Sequence, residues 1–140
     1  MNQHLDPWND ASLVAQRLSP PNARLHVLIG AEAWCATCRH VRPQYDALAA
    51  QASVDEVWLW LDLEDHSEFI GDYLPDTLPM LIAYHGTNLL GCVPVEGKAG
   101  SLGDLIHRIR SQGVLRDPSH DAAPDPGIRA RLLVQDWAPE

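Results

Sequence analysis

The stretch from Trp34 to His40, WCATCRH, places two of the chain's three cysteines, Cys35 and Cys38, with two residues between them. If a helix begins at Cys35, both sulfur atoms lie in its first turn, where unpaired backbone N–H groups and the helix dipole favour negative charge. We therefore expect the Cys35 thiol to ionise more readily than a free cysteine, and the Cys38 thiol to lie close enough to form a ring with it. This spacing suits a reversible dithiol, but it is also half of a zinc site, so the remaining sequence must decide between the two.

The composition predicts one domain without a polyanionic partner. The chain has 140 residues, of which 46% are hydrophobic, and this is enough for a core. Its 19 acidic and 10 basic residues give a formal charge of −9. Because like charges repel, we expect no nucleic-acid partner. We also expect a monomer.

The N-terminal residues and the cysteine count predict a cytoplasmic protein. Residues 1–7, MNQHLDP, lack the basic and apolar segments of a signal peptide, and no later apolar run approaches bilayer length. We therefore expect no membrane association. A secreted disulfide framework has more cysteines, in an even number, than the three present here. The CxxC pair is therefore interpreted as catalytic or metal-binding.

The hydrophobic pattern predicts an alternation of helices and strands. The predicted helices cover residues 11–18, 35–52, 67–73 and 102–112, and the predicted strands cover residues 24–29, 57–63, 80–84 and 89–93. We expect Asp10, Ser67 and Ser101 to cap three of the helices. The early alternation implies parallel strands joined by helical crossovers, whereas the last two strands flank a turn and are predicted to form an antiparallel hairpin.

Three residues inside these elements have further implications. Pro43 cannot donate to the carbonyl of Arg39, so it either kinks the helix or marks the place where one helix ends and another begins. Trp58 and Trp60 lie in the second strong strand candidate and are predicted to serve the core, with no more than one of them on each face of the sheet.

The composition changes after residue 112. We interpret residues 1–9 as an N-terminal extension, 10–112 as the folded domain, and 113–140 as a Pro/Asp-rich linker followed by a short apolar tail. The apolar residues of that tail, which begin at Ile128, either pack back on the domain or form a docking peptide.

Over roughly residues 13–112 the chain resembles the thioredoxin family. The shared positions are Trp34 directly before Cys35, Pro43 five residues after Cys38, Tyr73 six residues before Pro79, and Leu78 with Pro79 at the start of an apolar strand. The resemblance implies an α/β fold with a central mixed sheet of four or five strands flanked by helices. It also implies a cis peptide bond before Pro79, which is accessible because X–Pro bonds lose most of the trans preference.

The resemblance also implies roles for individual residues. Cys35 would be the nucleophile, Cys38 the resolving thiol and Pro79 the substrate-binding proline. The residues expected to line the substrate groove with Pro79 are Trp34, Ala36, Thr37 and Leu78. Two roles remain for Tyr73, which either packs in the domain or forms part of the groove wall.

The chain departs from thioredoxin at three places. The dipeptide between the cysteines is Ala36-Thr37, whereas thioredoxin has Gly-Pro. Thioredoxin has a buried aspartate and a lysine that move protons to and from the resolving cysteine. Counting from Cys35 and from Pro79 places Ile29 and Trp60 at those two positions, so both charges are missing. Glu32 is the nearest acid in sequence, and we do not expect it to substitute.

Three interpretations of the CxxC pair remain: a redox dithiol, half of a zinc site, or inert thiols on a binding domain. The dithiol is favoured over zinc because Zn²⁺ needs about four ligands and the chain has no second CxxC and no HxxxH. Haem attachment is excluded because Arg39 stands where that motif requires histidine. We expect His40 to be a surface residue, and Arg39 to be a solvated charge or a cation that favours the thiolate. Cys92 is predicted to be a small buried hydrophobe.

The predicted function is that of a thiol–disulfide oxidoreductase, an enzyme that exchanges a Cys35–Cys38 disulfide with protein disulfide substrates. It would need no metal and no organic cofactor, but a separate reductase or thiol reductant would have to restore the dithiol. The alternative is an adaptor or chaperone-like module that binds a client through the groove beside Pro79. In a third hypothesis the disulfide senses redox state and alters docking of the tail.

Overall fold

The structure is a computed structural model. It describes residues 10–31, 33, 35–52, 55–63, 70, 78–86, 88–98, 100–112 and 128–132. The helices are α1 (Ala11–Leu18), α2 (Ala36–Ala50), α3 (Ser101–Gln112) and α4 (Ile128–Leu132), and the strands are β1 (Arg24–Gly30), β2 (Glu56–Asp62), β3 (Met80–His85) and β4 (Asn88–Pro94). The predicted extension at 1–9, the predicted linker and all of the predicted helix at 67–73 except Ile70 lie outside the described residues.

The strands form one mixed sheet in the order β2-β1-β3-β4. Strand β1 runs parallel to β2 and antiparallel to β3, and β3 pairs antiparallel with β4 with a register shift at Ala83 and Tyr84. The predicted helical crossover and the predicted hairpin are both confirmed. The predicted α/β architecture, a mixed sheet flanked by helices, is confirmed as well, with four strands in the described part of the chain.

Helices cover both faces of this sheet. Because side chains alternate along a strand, successive residues of β1 enter different cores. Leu28 packs with Cys38 and with residues of α2 and α3, and we call this side the cysteine face. Val27 and Ile29 pack with residues of α1 and α4 on the opposite face. The prediction that β1 is buried on both faces is therefore confirmed.

The prediction that Trp58 and Trp60 occupy different faces is wrong. Both side chains belong to the core of the cysteine face. They are two residues apart on β2, and the side-chain period of a strand is two, so they must point the same way. Their rings both contact Tyr45 of α2, with centroids 6.1 Å and 5.6 Å from its ring.

Helix α2 is continuous through Pro43. The alternative in which one helix ends there and another begins is therefore wrong. Val41, Tyr45 and Ala49 lie on its buried side. The Tyr45 hydroxyl donates to the carbonyl oxygen of Trp58 at 3.3 Å, and burial raises the pKa of this phenol.

Two predicted helix caps differ from the structure. Asp10 occupies the cap position of α1 and its carbonyl accepts from the Val14 N–H at 2.8 Å, but its side chain makes no capping hydrogen bond. Ser101 is the first residue of α3 rather than the residue before it, and its hydroxyl donates to the carbonyl of Glu96. The Asp104 N–H bonds instead to the carbonyl of Gly100.

The described part of the tail packs on the domain. Ile128 and Leu132 are 0% and 2% exposed in the core of the opposite face, and Arg129 donates to the carbonyl of Leu18 at 3.2 Å. This segment therefore covers the apolar end of α1. In the described ranges no helix has both the length and the apolar character needed to span a membrane.

Candidate dithiol site

Cys35 caps the N-terminus of α2. Its backbone is extended, at φ −105° and ψ 107°, and its sulfur accepts the Cys38 N–H at 3.2 Å. The Arg39 N–H bonds to the Cys35 carbonyl at 3.2 Å. The sulfur thus takes the place that a serine or aspartate oxygen takes in ordinary caps. An N–H donor and the positive end of the helix dipole both face this half-buried atom.

The Leu78–Pro79 segment lies on the other side of Cys35. The peptide bond between Leu78 and Pro79 is cis. Sγ of Cys35 lies 3.9 Å from the Leu78 carbonyl oxygen, within reach of a weak S–H donation. The Pro79 carbonyl accepts the Val95 N–H at 2.9 Å, which ties this segment to the chain after β4.

Cys38 is fully buried on the cysteine face. The backbone N–H of Ala31 donates to its sulfur at 3.4 Å, and the carbonyl of the same residue accepts the Cys35 N–H at 2.8 Å. Ala31 therefore joins the end of β1 to both cysteines. The two thiols differ sharply in access, because Cys35 is partly exposed and Cys38 is not.

The interpretation of Ile29 as the neighbour of the resolving cysteine is wrong. Ile29 packs in the opposite-face core, whereas Leu28 and Gly30 lie on the side of Cys38. Because side chains alternate along a strand, the residues of β1 that face Cys38 are the immediate neighbours of Ile29. None of residues 24–30 is acidic, so β1 supplies no carboxylate to Cys38 in either register.

Trp60 lies where the sequence placed it, beside the buried thiol. A Cβ built on Gly30 would lie 3.3 Å from Sγ of Cys38 and 2.6 Å from Cζ2 of Trp60, so the thiol and the indole both lie next to Gly30. The indole Nε1 is buried and has no hydrogen-bond partner among the described residues. The guanidinium of Arg42 lies 5.0 Å from the Trp60 ring and 3.1 Å from a carboxylate oxygen of Asp46.

An open cleft of about 540 Å³ lies next to the cysteines. Its lining residues are Thr37, Leu78, Pro94, Val95, Glu96, Gly97 and Lys98. Thr37 and Leu78 were predicted to line a groove, and Ala36 is exposed beside them. Trp34 and Tyr73 lie outside the described residues. The sequence pattern does not indicate the segment 94–98, because loop residues have no periodic pattern and only the pairing of β3 with β4 brings them here.

The remaining candidates lie away from the two sulfurs or on the surface. Arg39 and His40 are exposed, as expected for His40. Cys92 is half-buried rather than fully buried, faces Ile82 across the hairpin, and packs against the opposite-face core. The fold therefore separates it from Cys38 by the sheet. Among the residues that the structure describes, no group of three or more histidine, cysteine or acidic side chains could hold a metal ion.

No protein-family model and no curated protein sequence matches the chain. Solved structures do. A poplar thioredoxin h superposes with a TM-score of 0.61 at 18% identity, covering 79% of this chain and 98% of that one. A chain of the complex between ferredoxin:thioredoxin reductase and thioredoxin f2 superposes with a TM-score of 0.57 at 18% identity, covering 78% and 94%.

A thioredoxin from Schistosoma mansoni superposes with a TM-score of 0.54 at 21% identity, covering 71% of this chain and 89% of that one. Identities at this level establish architecture rather than activity. The sheet order, the helix that begins at the CxxC pair, and the cis bond before Pro79 agree with that architecture. The chain has the thioredoxin fold.

Proposed function

We propose that this protein is a thiol–disulfide oxidoreductase whose reacting groups are Cys35 and Cys38. The observation that carries the proposal is the arrangement at the start of α2. A partly exposed sulfur accepts the N–H of the residue that holds a second, buried sulfur, at 3.2 Å. A substrate can reach the partly exposed thiol, whereas the buried thiol reacts within the chain, with Cys35.

In the first step the Cys35 thiolate attacks one sulfur of a substrate disulfide. A bond forms between Cys35 and that sulfur, the substrate S–S bond breaks, and the second substrate sulfur leaves as a thiolate that takes up a proton. The helix N-terminus favours the attacking anion. The Leu78 carbonyl borders the Cys35 sulfur, which supports a role for this segment in positioning the substrate chain.

In the second step Cys38 loses its proton and attacks the Cys35 sulfur. The Cys35–Cys38 bond forms, the mixed disulfide breaks, and the first substrate sulfur leaves as a thiolate that takes up a proton. Counting the proton that Cys35 releases before the first attack, the substrate has then gained two electrons and two protons, and the protein has lost them. Run in reverse, the same steps oxidise a substrate dithiol.

A reductive cycle needs a second protein or a small thiol to return the disulfide to the dithiol. One structural neighbour is a chain of a complex between ferredoxin:thioredoxin reductase and thioredoxin f2. We infer a reductase or thiol reductant as the partner here. Its thiolate would attack the partly exposed Cys35 sulfur of the Cys35–Cys38 disulfide, the same sulfur that attacks the substrate in the reduced protein.

A second candidate is an adaptor that binds a client through the cleft without redox chemistry. The environment of Cys38 favours it, because β1 supplies no carboxylate there and the Trp60 indole lies next to the thiol. The resolving thiol then lacks a nearby base from that strand. Retention of both cysteines and of Pro79 favours the oxidoreductase.

The deciding experiment is a redox titration against glutathione, with alkylation of free thiols as the readout. We expect a reversible two-electron transition between about −270 mV and about −120 mV, the range of this class of dithiol. C35S and C38S should abolish it, and the control C92S should retain it. If wild-type protein shows no transition but still binds a client, the adaptor replaces the oxidoreductase.

A further inference from the structure

Gln44 connects helix α2 to the chain between β4 and α3. Its side-chain Nε2 donates to the carbonyl oxygen of Lys98 at 2.9 Å. Its Oε1 accepts the backbone N–H of Leu102, in the first turn of α3, at 3.0 Å. Both ends of one amide are thus bonded to backbone groups that are far away in sequence.

The segment that Gln44 holds is one wall of the cleft. Residues 94–98 line it together with Thr37 and Leu78. The wall lies close to α2, because a Cβ on Gly97 would lie 3.4 Å from Cγ2 of Thr37 and 3.8 Å from Cβ of His40. A small outward movement of this wall would therefore widen the cleft beside Cys35.

Other contacts also hold the wall in place. Val95 is buried, and its N–H bonds to the Pro79 carbonyl at one end of the segment. The ion pair between Glu96 and Lys98 joins side chains that are 72% and 84% exposed, and such pairs contribute little to stability. At the Lys98 end, the Ser101 N–H bonds to the Lys98 carbonyl at 3.2 Å and the Ser101 hydroxyl donates to the Glu96 carbonyl, which ties the segment to the start of α3. Gln44 ties the same end to α2.

We propose that Gln44 is a positioning residue that sets the shape of the cleft and thereby the affinity for disulfide-bonded polypeptides. The inference rests on the proposed oxidoreductase activity. A small disulfide needs only the Cys35 sulfur, whereas a polypeptide must also fit into the cleft that residues 94–98 line. Gln44 itself does not contact the reacting atoms, because its amide is occupied by Lys98 and Leu102.

The test compares two substrates, insulin and hydroxyethyl disulfide, in Q44L, Q44E and the control Q16L. Q44L removes both hydrogen bonds, whereas Q44E keeps an acceptor for Leu102 and loses the donor to Lys98. Q16L makes the same chemical change at an exposed position of α1. Thermal unfolding of each variant checks that it folds, and Q44E remains available if Q44L does not.

We expect Q44L to raise KM for insulin about tenfold with kcat changed less than about twofold, since two hydrogen bonds of ordinary strength correspond to that factor. Q44E should raise KM for insulin by a smaller factor. Rates with hydroxyethyl disulfide and the reduction potential should match those of wild type and Q16L.

An unchanged KM for insulin in both Gln44 variants, or equal losses on both substrates, would overturn the positioning role while leaving the oxidoreductase intact. If wild-type protein reduces neither substrate and shows no redox transition, the proposed function fails, and this inference fails with it. The two failures are distinguishable because the second is visible in the wild type.

Discussion

Gly30 of β1 and Trp60 of β2 approach each other so closely that a Cβ on Gly30 would lie 2.6 Å from Cζ2 of the indole. The same Cβ would lie 3.3 Å from the Cys38 sulfur. The absence of a side chain at position 30 is therefore what allows the indole and the buried thiol to lie side by side.

G30A should destabilise the protein by about 1–3 kcal/mol, because overpacking forces the buried indole to shift. The free energy of unfolding from chemical denaturation measures this. The matched control is G103A in α3, where an added Cβ meets nothing within 4 Å and should stabilise the helix by about 0.5–1 kcal/mol. Equal effects of the two substitutions would contradict the close contact.

The difference in access between the two thiols predicts ordered alkylation. In a C92S background, iodoacetamide should modify Cys35 in the folded reduced protein and reach Cys38 only after denaturant is added, because Cys38 is 0% exposed. Mass spectrometry of the alkylated peptides identifies each site. Simultaneous modification of both cysteines under native conditions would show that the start of α2 opens in solution.

Tyr45 predicts a loss of stability at alkaline pH. Its pKa is raised above the ordinary value of 10.0 by burial, so above that pH the unfolded chain releases a proton that the folded chain retains. The contribution of the neutral phenol is fully present below pH 10 and falls as the pH rises further.

The comparison is between wild type and Y45F. At neutral pH, Y45F should be about 1 kcal/mol less stable, because it loses the hydrogen bond to the Trp58 carbonyl. Between pH 10 and pH 11 this advantage of the wild type should shrink by about 1 kcal/mol. Parallel stability curves for the two proteins across that range would be inconsistent with a buried, neutral phenol.

The tail helix should stabilise the domain without affecting the dithiol. I128A should cost about 2–4 kcal/mol, because Ile128 is 0% exposed in the opposite-face core. L13A is the control on α1, where the 38% exposed side chain should cost less than about 1 kcal/mol. The reduction potential should be the same in both variants, since the sheet separates α4 from Cys38. A shifted potential in I128A would instead favour the redox-sensing hypothesis for the tail.

Local patterns predicted most of the fold. The apolar run before Gly30, the helical spacing of Val41 and Tyr45, and the proline that opens β3 each reflect a preference of a few neighbouring residues, and the structure has these elements within one or two residues of the predicted ends. The face of the sheet on which each side chain lies was harder to predict. Ile29 was matched to the wrong side by counting from Cys35, because the count depends on the length of the loop between strand and helix.

Spacing and periodicity along the chain predict the helix that begins beside the CxxC pair, the burial of β1 on both faces and the start of β3 after a proline. Sheet pairing and helix packing place residues 94–98 as a cleft wall bonded to Gln44, and place Ile128 over α1. Those relationships join residues far apart in sequence. They exist only once sheet pairing and helix packing bring the residues together.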